Sequence, residues 1–160
     1  MKKTILILIM LQAALACYAP GQLQDPRSDM ESYLRNQAPF TVENLKLAIE
    51  LNRIIAPDIV LAQSRLETGL FRSDLFRGHN NLFGMKLARR RPTTARGSTE
   101  NDYATYLTWY DSVKDLKLFQ EWYLSRGENL ADYFRFLASV GYAEDPHYLA
   151  KVRQLCITSR

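Results

Sequence analysis

The chain has 160 residues, of which 47% are hydrophobic and 24% are charged, and its formal net charge is +4. This length allows one globular domain with a sizeable core. The chain contains two cysteines, which excludes a small fold stapled by several disulfides. The net charge is too small to identify a partner.

The first 16 residues have the layout of a secretory signal peptide. Lys2 and Lys3 precede a mostly apolar run from 4 to 15, and Ala14-Leu15-Ala16 forms a small-residue cleavage pattern. The run is too short for a comfortable membrane span. We therefore expect an exported protein of the periplasm or cell envelope, with a charge of +2 once both lysines are removed.

Cys17 stands where a bacterial lipoprotein carries its lipid-modified cysteine. A lipobox needs a large aliphatic residue three positions earlier, where this chain has Ala14. A lipid anchor at Cys17 therefore stays open beside simple export. A disulfide between Cys17 and Cys156 is also open, although a buried thiol at Cys156 is the preferred interpretation.

Residues 17–39 predict a linker that leads into a short helix from about Met30 to Asn36, and residues 40–160 form the main domain. Thr41 is positioned to cap the next helix. Pro57 then begins a helix that Gly69 ends, following the preference for proline at helix starts and glycine at helix ends.

Residues 87–110 break the helical pattern, and Tyr103 to Tyr110 are rich in strand-forming residues, which predicts a small β-hairpin lobe. Three helices are expected after it. The first is capped by Asp111 or Ser112, the second spans 128–140, and the third begins at Asp145-Pro146. The predicted fold class is mainly α (α+β), a helical domain with one small β-hairpin lobe.

Glu67 is the one carboxylate in the last turn of an otherwise apolar helix. It lies one turn beyond Gln63 on the same face. The negative end of the helix dipole and partial burial would both raise the pKa of a carboxyl group there. A carboxylic acid that stays protonated near neutral pH suits protonation of a glycosidic oxygen, although a lone glutamate at a helix end is more often simply solvated.

Four segments, in order, resemble the bacterial peptidoglycan endo-β-N-acetylglucosaminidases of glycoside hydrolase family 73, which include the flagellar-rod-associated wall hydrolases. They are residues 61–69 (LAQSRLETG), residues 80–85 (NNLFGM), the spaced aromatics of 103–113, and residues 141–148 (GYAEDPHY). The resemblance spans about residues 40–155. It implies a lysozyme-like fold and hydrolysis of the β-1,4 bond between N-acetylglucosamine and N-acetylmuramic acid.

The resemblance also implies roles for individual residues. Glu67 would be the general acid. Substrate would contact Gln63, Asn80, Asn81, Phe83, Tyr103, Tyr106 and Tyr142. Sugar rings pack on aromatic faces, and amides satisfy their polar groups. Core packing is nearly as good an explanation for Phe83 and for Trp109.

A second catalytic carboxylate is less clearly marked. Glu100 and Asp102 are the only acids of the short β-lobe, and either could hold a water opposite Glu67 for inversion. Asp115 is a weaker candidate. The 2-acetamido group of the substrate could also act as the nucleophile, with no second carboxylate from the protein.

Other chemistries find little support in the sequence. His79 and His147 have no metal-ligand spacing, so we expect neither a metal nor a cofactor. The basic cluster Lys86, Arg89, Arg90, Arg91 and Arg96 is either a solvated loop or a surface for an anionic cell-wall polymer, because an exported chain rarely meets nucleic acid. We expect a monomer that binds peptidoglycan glycan strands. A muramidase, a lytic transglycosylase and a non-catalytic wall-binding module remain the alternatives.

Overall fold

The computed structural model describes residues 25–157, so the expected signal peptide and Cys17 lie outside the described residues. This part of the chain forms seven helices and two short strands. In chain order they are α1 (Pro26–Asn36), α2 (Val42–Leu51), α3 (Pro57–Glu67), α4 (Asp74–His79), β1 (Gly97–Ser98), β2 (Ala104–Thr105), α5 (Trp109–Leu124), α6 (Tyr133–Ser139) and α7 (Tyr148–Ile157).

The two strands form an antiparallel hairpin in which Gly97 pairs with Thr105 and Ser98 pairs with Ala104. This confirms the predicted mainly helical fold with a small β-hairpin lobe. The strand-rich segment predicted from Tyr103 to Tyr110 is shorter than expected, since α5 already begins at Trp109. Among residues 25–157, no helix is long and apolar enough to cross a membrane.

Local hydrogen bonds explain where the helices begin. Thr41 Oγ1 accepts the Asn44 amide, as predicted. The cap of α5 is Thr108 rather than Asp111 or Ser112, because Thr108 and Asp111 form a reciprocal capping box in which Asp111 is the third helical residue. The predicted caps therefore lie three and four residues after the true one.

Three other helix boundaries also differ from expectation. α7 begins at Tyr148 and not at Asp145-Pro146, because the Tyr148 amide donates to the Asp145 carbonyl in a turn that precedes the helix. α1 begins at Pro26, four residues before the predicted start, because the Asp25 side chain accepts the Arg27 amide. α6 begins at Tyr133 rather than at 128, because Asn129 Oδ1 accepts the Ala131 amide in a local turn that competes with helix. α4 was not anticipated, although Ser73 caps it through the Phe76 amide.

The core contains the inner faces of α1, α2, α3, α5 and α6. Leu34 of α1 is fully buried in it, so the described fold begins before residue 40. A second, smaller cluster joins α3 to α7 through Ala62, Tyr148 and Val152. Since α3 ends at Glu67 and α7 begins at Tyr148, this packing brings the two candidate site regions together.

Candidate active site

Glu67 is held at the last turn of α3 by the residue that follows it. Thr68 is fully buried; its Oγ1 donates to the Ser64 carbonyl at 2.6 Å and accepts the Phe71 amide at 2.8 Å. Gly69 continues in the left-handed region at φ +54°. These bonds stop the helix and fix the direction in which the Glu67 side chain leaves it.

The backbone of Gly84 lies directly against the Glu67 carboxyl group. A Cβ atom at Gly84 would come within 2.5 Å of Glu67 Oε2 and 3.2 Å of its Cδ, and the residue has φ +62°. Two features favour glycine at position 84, namely its left-handed backbone conformation and the close approach of its backbone to the Glu67 carboxyl group. The turn that carries Gly84 and the end of α3 form two sides of one site.

Asn81 holds that turn in shape. Its Nδ2 donates to the Met85 and Ala104 carbonyls, both at 2.9 Å, and its Oδ1 accepts the Phe83 and Met85 amides. The side chain is buried, and all of these bonds are internal. The expected contact between Asn81 and substrate is therefore corrected to a structural role in positioning Gly84.

A chain of hydrogen bonds approaches the Glu67 carboxyl from α7. Gln63 Nε2 donates to the Tyr148 hydroxyl at 3.0 Å, and that hydroxyl is hydrogen-bonded to Glu67. Burial raises the pKa of Tyr148, which keeps its hydroxyl protonated as a donor. Gln63 was predicted to contact substrate, but its side chain is fully buried. It supports Tyr148 instead.

Burial raises the pKa of Glu67 above its ordinary value of 4.5, while the hydrogen bond from Tyr148 opposes this by stabilising the carboxylate. The larger of the two effects is burial, because the neutral acid is favoured where water is excluded. The direction agrees with the sequence-based expectation. A carboxyl group with a raised pKa can remain a proton donor at less acidic pH.

Glu67 opens into a cleft of about 750 Å³, which we call the Glu67 cleft. One wall is the segment 84–88 with Tyr103 of the β-lobe. The other is the segment 140–145, which follows α6, and the first residue of α7. The volume is in the range of cavities that accept small organic ligands, and a few sugar units would fit an open cleft of this size.

Tyr103 and Tyr142 line the cleft, and their contact with substrate stays a prediction. The Lys86 ammonium lies 3.5 Å from the centre of the Tyr103 ring. The Tyr142 hydroxyl donates to the Phe83 carbonyl at 2.9 Å, which ties the two walls together across the site. Both tyrosines are only partly buried, so part of each is available to a ligand.

The remaining predicted contacts are not surfaces of the cleft. Phe83 and Tyr106 are buried, and the Tyr106 hydroxyl donates to Asp115 Oδ2 at 2.8 Å. Asn80 ends α4 in the left-handed conformation at φ 56° and donates to the Tyr106 and Leu107 carbonyls. Phe83 and Tyr106 are therefore core residues in place of the expected contact with sugar, whereas Asn80 is partly exposed and its contact with sugar stays a prediction.

The structure does not bring the candidate second carboxylates to Glu67. Glu100 is exposed at the end of the hairpin, outside the cleft lining. Asp102 also lies outside that lining and pairs with Arg89 at 2.9 Å. Asp115 is fully buried in a two-pronged ion pair with Arg91, at 2.9 and 3.0 Å.

Four residues of the site were not recognised from sequence as individual site residues. Gly84 contacts the acid, Tyr148 hydrogen-bonds to it, and Glu144 and Asp145 add carboxylates to the cleft wall. Asp145 pairs with Lys151 at 2.6 Å. Gly84 lies in the segment 80–85 and the other three lie in the segment 141–148, both of which carried the family resemblance, and that was the available signal.

The Asp115 pair carries a prediction about stability. Replacing Asp115 with asparagine should lower the free energy of unfolding by about 3 kcal/mol, because it leaves the Arg91 guanidinium without its buried partner. Asp102→Asn is the matched control: its pair with Arg89 is largely exposed and should be worth less than about 1 kcal/mol. Urea unfolding measures both, and equal losses would contradict the assignment.

A half-buried carboxyl of raised pKa at a helix end, facing a tyrosine-lined cleft, is the arrangement of a glycoside-cleaving enzyme. The family model described as mannosyl-glycoprotein endo-beta-N-acetylglucosaminidase matches residues 44–159. The chain belongs to this glucosaminidase family, and it is a glycoside hydrolase, as the sequence predicted.

Comparison with solved structures finds the catalytic domain of the autolysin Auto from Listeria monocytogenes. It is 17% identical to this chain, the alignment covers 93% of each chain, and the TM-score is 0.46. No curated protein matches the chain.

Proposed function

We propose that the protein hydrolyses the β-1,4 bond on the reducing side of N-acetylglucosamine in peptidoglycan, with Glu67 as the proton donor. The observation that carries the proposal is the Glu67 carboxyl group itself, whose pKa is raised by burial at the base of an open cleft. Membership of the glucosaminidase family supports the choice of sugar.

In the proposed reaction, a glycan strand lies along the Glu67 cleft with sugar faces against Tyr103 and Tyr142. Glu67 transfers its proton to the glycosidic oxygen as the bond from that oxygen to C1 breaks. The leaving sugar departs with a new hydroxyl group, and positive charge develops at C1 and the ring oxygen. The hydrogen bond from Tyr148 then stabilises the carboxylate that Glu67 has become.

The second half of the reaction follows from where the acids lie. Glu100 and Asp102 are outside the cleft, Asp115 is paired in the core, and of the two other acids in the lining Asp145 pairs with Lys151 and Glu144 is exposed to solvent. We keep Glu144 as the alternative nucleophile and assign this role to the substrate. The carbonyl oxygen of its 2-acetamido group bonds to C1 and gives a cyclic oxazolinium ion. Water then opens that ring, giving up a proton to the Glu67 carboxylate, so the enzyme is restored and the anomeric configuration is retained.

The experiment is digestion of purified peptidoglycan, followed by mass spectrometry of borohydride-reduced fragments. The proposal expects fragments that end in reduced N-acetylglucosamine. In a separate digest without reduction, NMR should show the new reducing end first as the β-anomer. Ends of reduced N-acetylmuramic acid would indicate a muramidase, and anhydro-muramic ends a lytic transglycosylase. Binding to the wall with no fragments released would indicate a wall-binding module.

We further propose that the protein is exported and acts in the envelope as a monomer. It is either anchored by a lipid at Cys17 or exported without an anchor. Intact-mass measurement of the protein from its native membrane and soluble fractions tests this. A mature chain that begins at Cys17 and carries acyl groups would show the anchor. An unmodified soluble chain that begins at the same residue would show export without it.

Tyr148→Phe tests how Glu67 is positioned. Removing the hydroxyl deletes a hydrogen bond that stabilises the carboxylate, so the basic limb of the kcat/KM profile should move to higher pH. The loss of this positioning contact should also lower kcat about tenfold. Tyr133→Phe is the matched control. The Tyr133 hydroxyl likewise accepts a hydrogen bond from a buried glutamine, Gln120, but Tyr133 is not part of the cleft lining. A basic limb that stays in place or moves to lower pH would contradict the assignment.

A further inference from the structure

A second depression adjoins the Glu67 cleft, and we call it the arginine groove. Its volume is about 350 Å³, and it is lined by Leu87, Ala88, Arg89, Arg90, Arg91, Asp102, Phe119, Trp122 and Tyr123. Five of these residues, namely Leu87, Ala88, Arg91, Phe119 and Tyr123, also line the Glu67 cleft. A polymer in the cleft would therefore have a continuous path into the groove.

The charges of the groove are unbalanced. Arg91 is neutralised by Asp115, and Asp102 offsets Arg89, whose side chain is still 71% exposed. Arg90 is exposed, with its backbone carbonyl held by Trp122 Nε1 at 3.2 Å. Arg126 adds another cation by stacking on the Trp122 ring at 3.6 Å. The groove therefore presents a positive rim over an aromatic floor.

The Glu67 cleft differs in charge. Arg91 is paired with Asp115 and Glu67 is the proposed protonated acid, so the remaining charges of the lining are Lys86 and Lys151 against Glu144 and Asp145, which are equal in number. A neutral sugar suits such a lining, whereas two exposed guanidinium groups beside it suit carboxylates. The charge pattern changes where the cleft passes into the groove, so a neutral strand with acidic branches would be complementary to both.

We propose that the arginine groove binds the carboxylates of the peptide stem that branches from the peptidoglycan strand, and that the enzyme thereby prefers stem-bearing glycan to naked glycan. The proposal rests on the proposed function, because the strand must first occupy the Glu67 cleft. Every muramic residue can carry such a stem, so a stem lies beside each bond that the enzyme would cleave. Arg89 and Arg90 are then specificity-determining residues that contact the stem and take no part in bond breaking.

The test compares stem-bearing glycan strands with the same strands after an amidase has removed the stems. This hydrolysis takes away the carboxylates of the stem and leaves one lactyl carboxylate on each muramic residue, so the comparison isolates the stem carboxylates and not charge in general. The wild type should cleave the stem-bearing strands with about tenfold higher kcat/KM, a size that two partly exposed charge pairs can supply. The double variant Arg89→Gln/Arg90→Gln should lose this preference while its rate on stripped strands stays unchanged. The difference should shrink as salt is added, since exposed charges are screened.

Arg72→Gln/Arg77→Gln is the matched control, because it removes two exposed arginines that lie outside both linings. Equal kcat/KM of the wild type on both substrates would overturn the groove proposal. An equal loss of kcat/KM on both substrates in the double variant would also overturn it. So would a rate loss that appears only with walls carrying phosphate-containing polymer. If neither substrate is cleaved, the proposed function fails. Titration of the same strands into Glu67→Gln then tests the groove separately. A lower Kd for the stem-bearing strands would support the groove proposal, and equal Kd values would overturn it.

Discussion

Glu67→Gln should lower kcat on peptidoglycan by about a thousandfold while the KM for the glycan changes little. General acid catalysis typically contributes about 10²–10⁴ in rate, and an amide has no proton of suitable acidity to give. Glutamine keeps the size of the side chain and can still accept the Tyr148 hydrogen bond, so binding and fold should be preserved. Release of soluble reducing ends from labelled wall measures the rate.

The same substitution should stabilise the protein near neutral pH. The folded-state pKa of Glu67 lies above the ordinary value of 4.5, so between these two pKa values the folded protein binds more protons than the unfolded one. Raising the pH through that window therefore lowers the free energy of unfolding of the wild type. Glutamine does not ionise, so the variant keeps its free energy of unfolding as the pH rises. Near neutral pH we expect that free energy to exceed that of the wild type by about 1 kcal/mol.

Urea unfolding of both proteins at about pH 4 and about pH 7 checks this linkage. The stability difference should be small at the lower pH, where the carboxyl is protonated in both states, and should appear as the pH rises. A variant that is less active and also less stable at both pH values would show that the substitution damages the fold, and the rate loss would then say nothing about catalysis.

Gly84→Ala should have the second-largest effect, reducing kcat by at least about a hundredfold. The added methyl group would come within 2.5 Å of Glu67 Oε2 and must push the carboxyl away from its position. Displacements of about 1 Å in a catalytic group commonly cost about 10² in rate. The left-handed backbone at φ +62° adds a stability cost of about 1–2 kcal/mol.

Gly127→Ala separates these two costs. Gly127 also has a left-handed φ, +82°, but an added Cβ there has nothing within 4 Å. It should lose comparable stability and keep its kcat. If both variants lost activity to the same degree, backbone strain and not the contact with Glu67 would be the cause, and the account of the site would need revision.

The sequence predicted those parts of the fold that short-range signals determine. Pro57 and Gly69 bracket α3 as expected, and Thr41 caps α2. The prediction was wrong for the cap of α5, because Thr108 is the cap and Asp111 is its partner in the capping box. For the predicted helices the decisive hydrogen bond involves residues within a few positions of one another, so those errors were displacements of an end; α4, Asp74–His79, is the one helix of residues 25–157 that was missed entirely.

The candidate site was predicted less completely because a residue's type does not show which way its side chain points. Asn81 and Tyr106 have the chemistry of sugar ligands, yet their polar atoms are consumed by the Gly84 turn and by Asp115. Glu67 was identified because its helix position and the family pattern agree. Its contact with Gly84 joins residues from different elements, and only the tertiary packing reveals such a contact.

The central claim is that Glu67 is the proton donor because its carboxyl group stays protonated where most glutamates are ionised. The most direct measurement is an NMR titration of ¹³C-labelled glutamate side chains, in which the Glu67 signal is identified by its absence from Glu67→Gln. The account predicts a pKa above 4.5 that coincides with the basic limb of the kcat/KM profile. A Glu67 signal that titrates at or below 4.5, with a basic limb elsewhere, would contradict it.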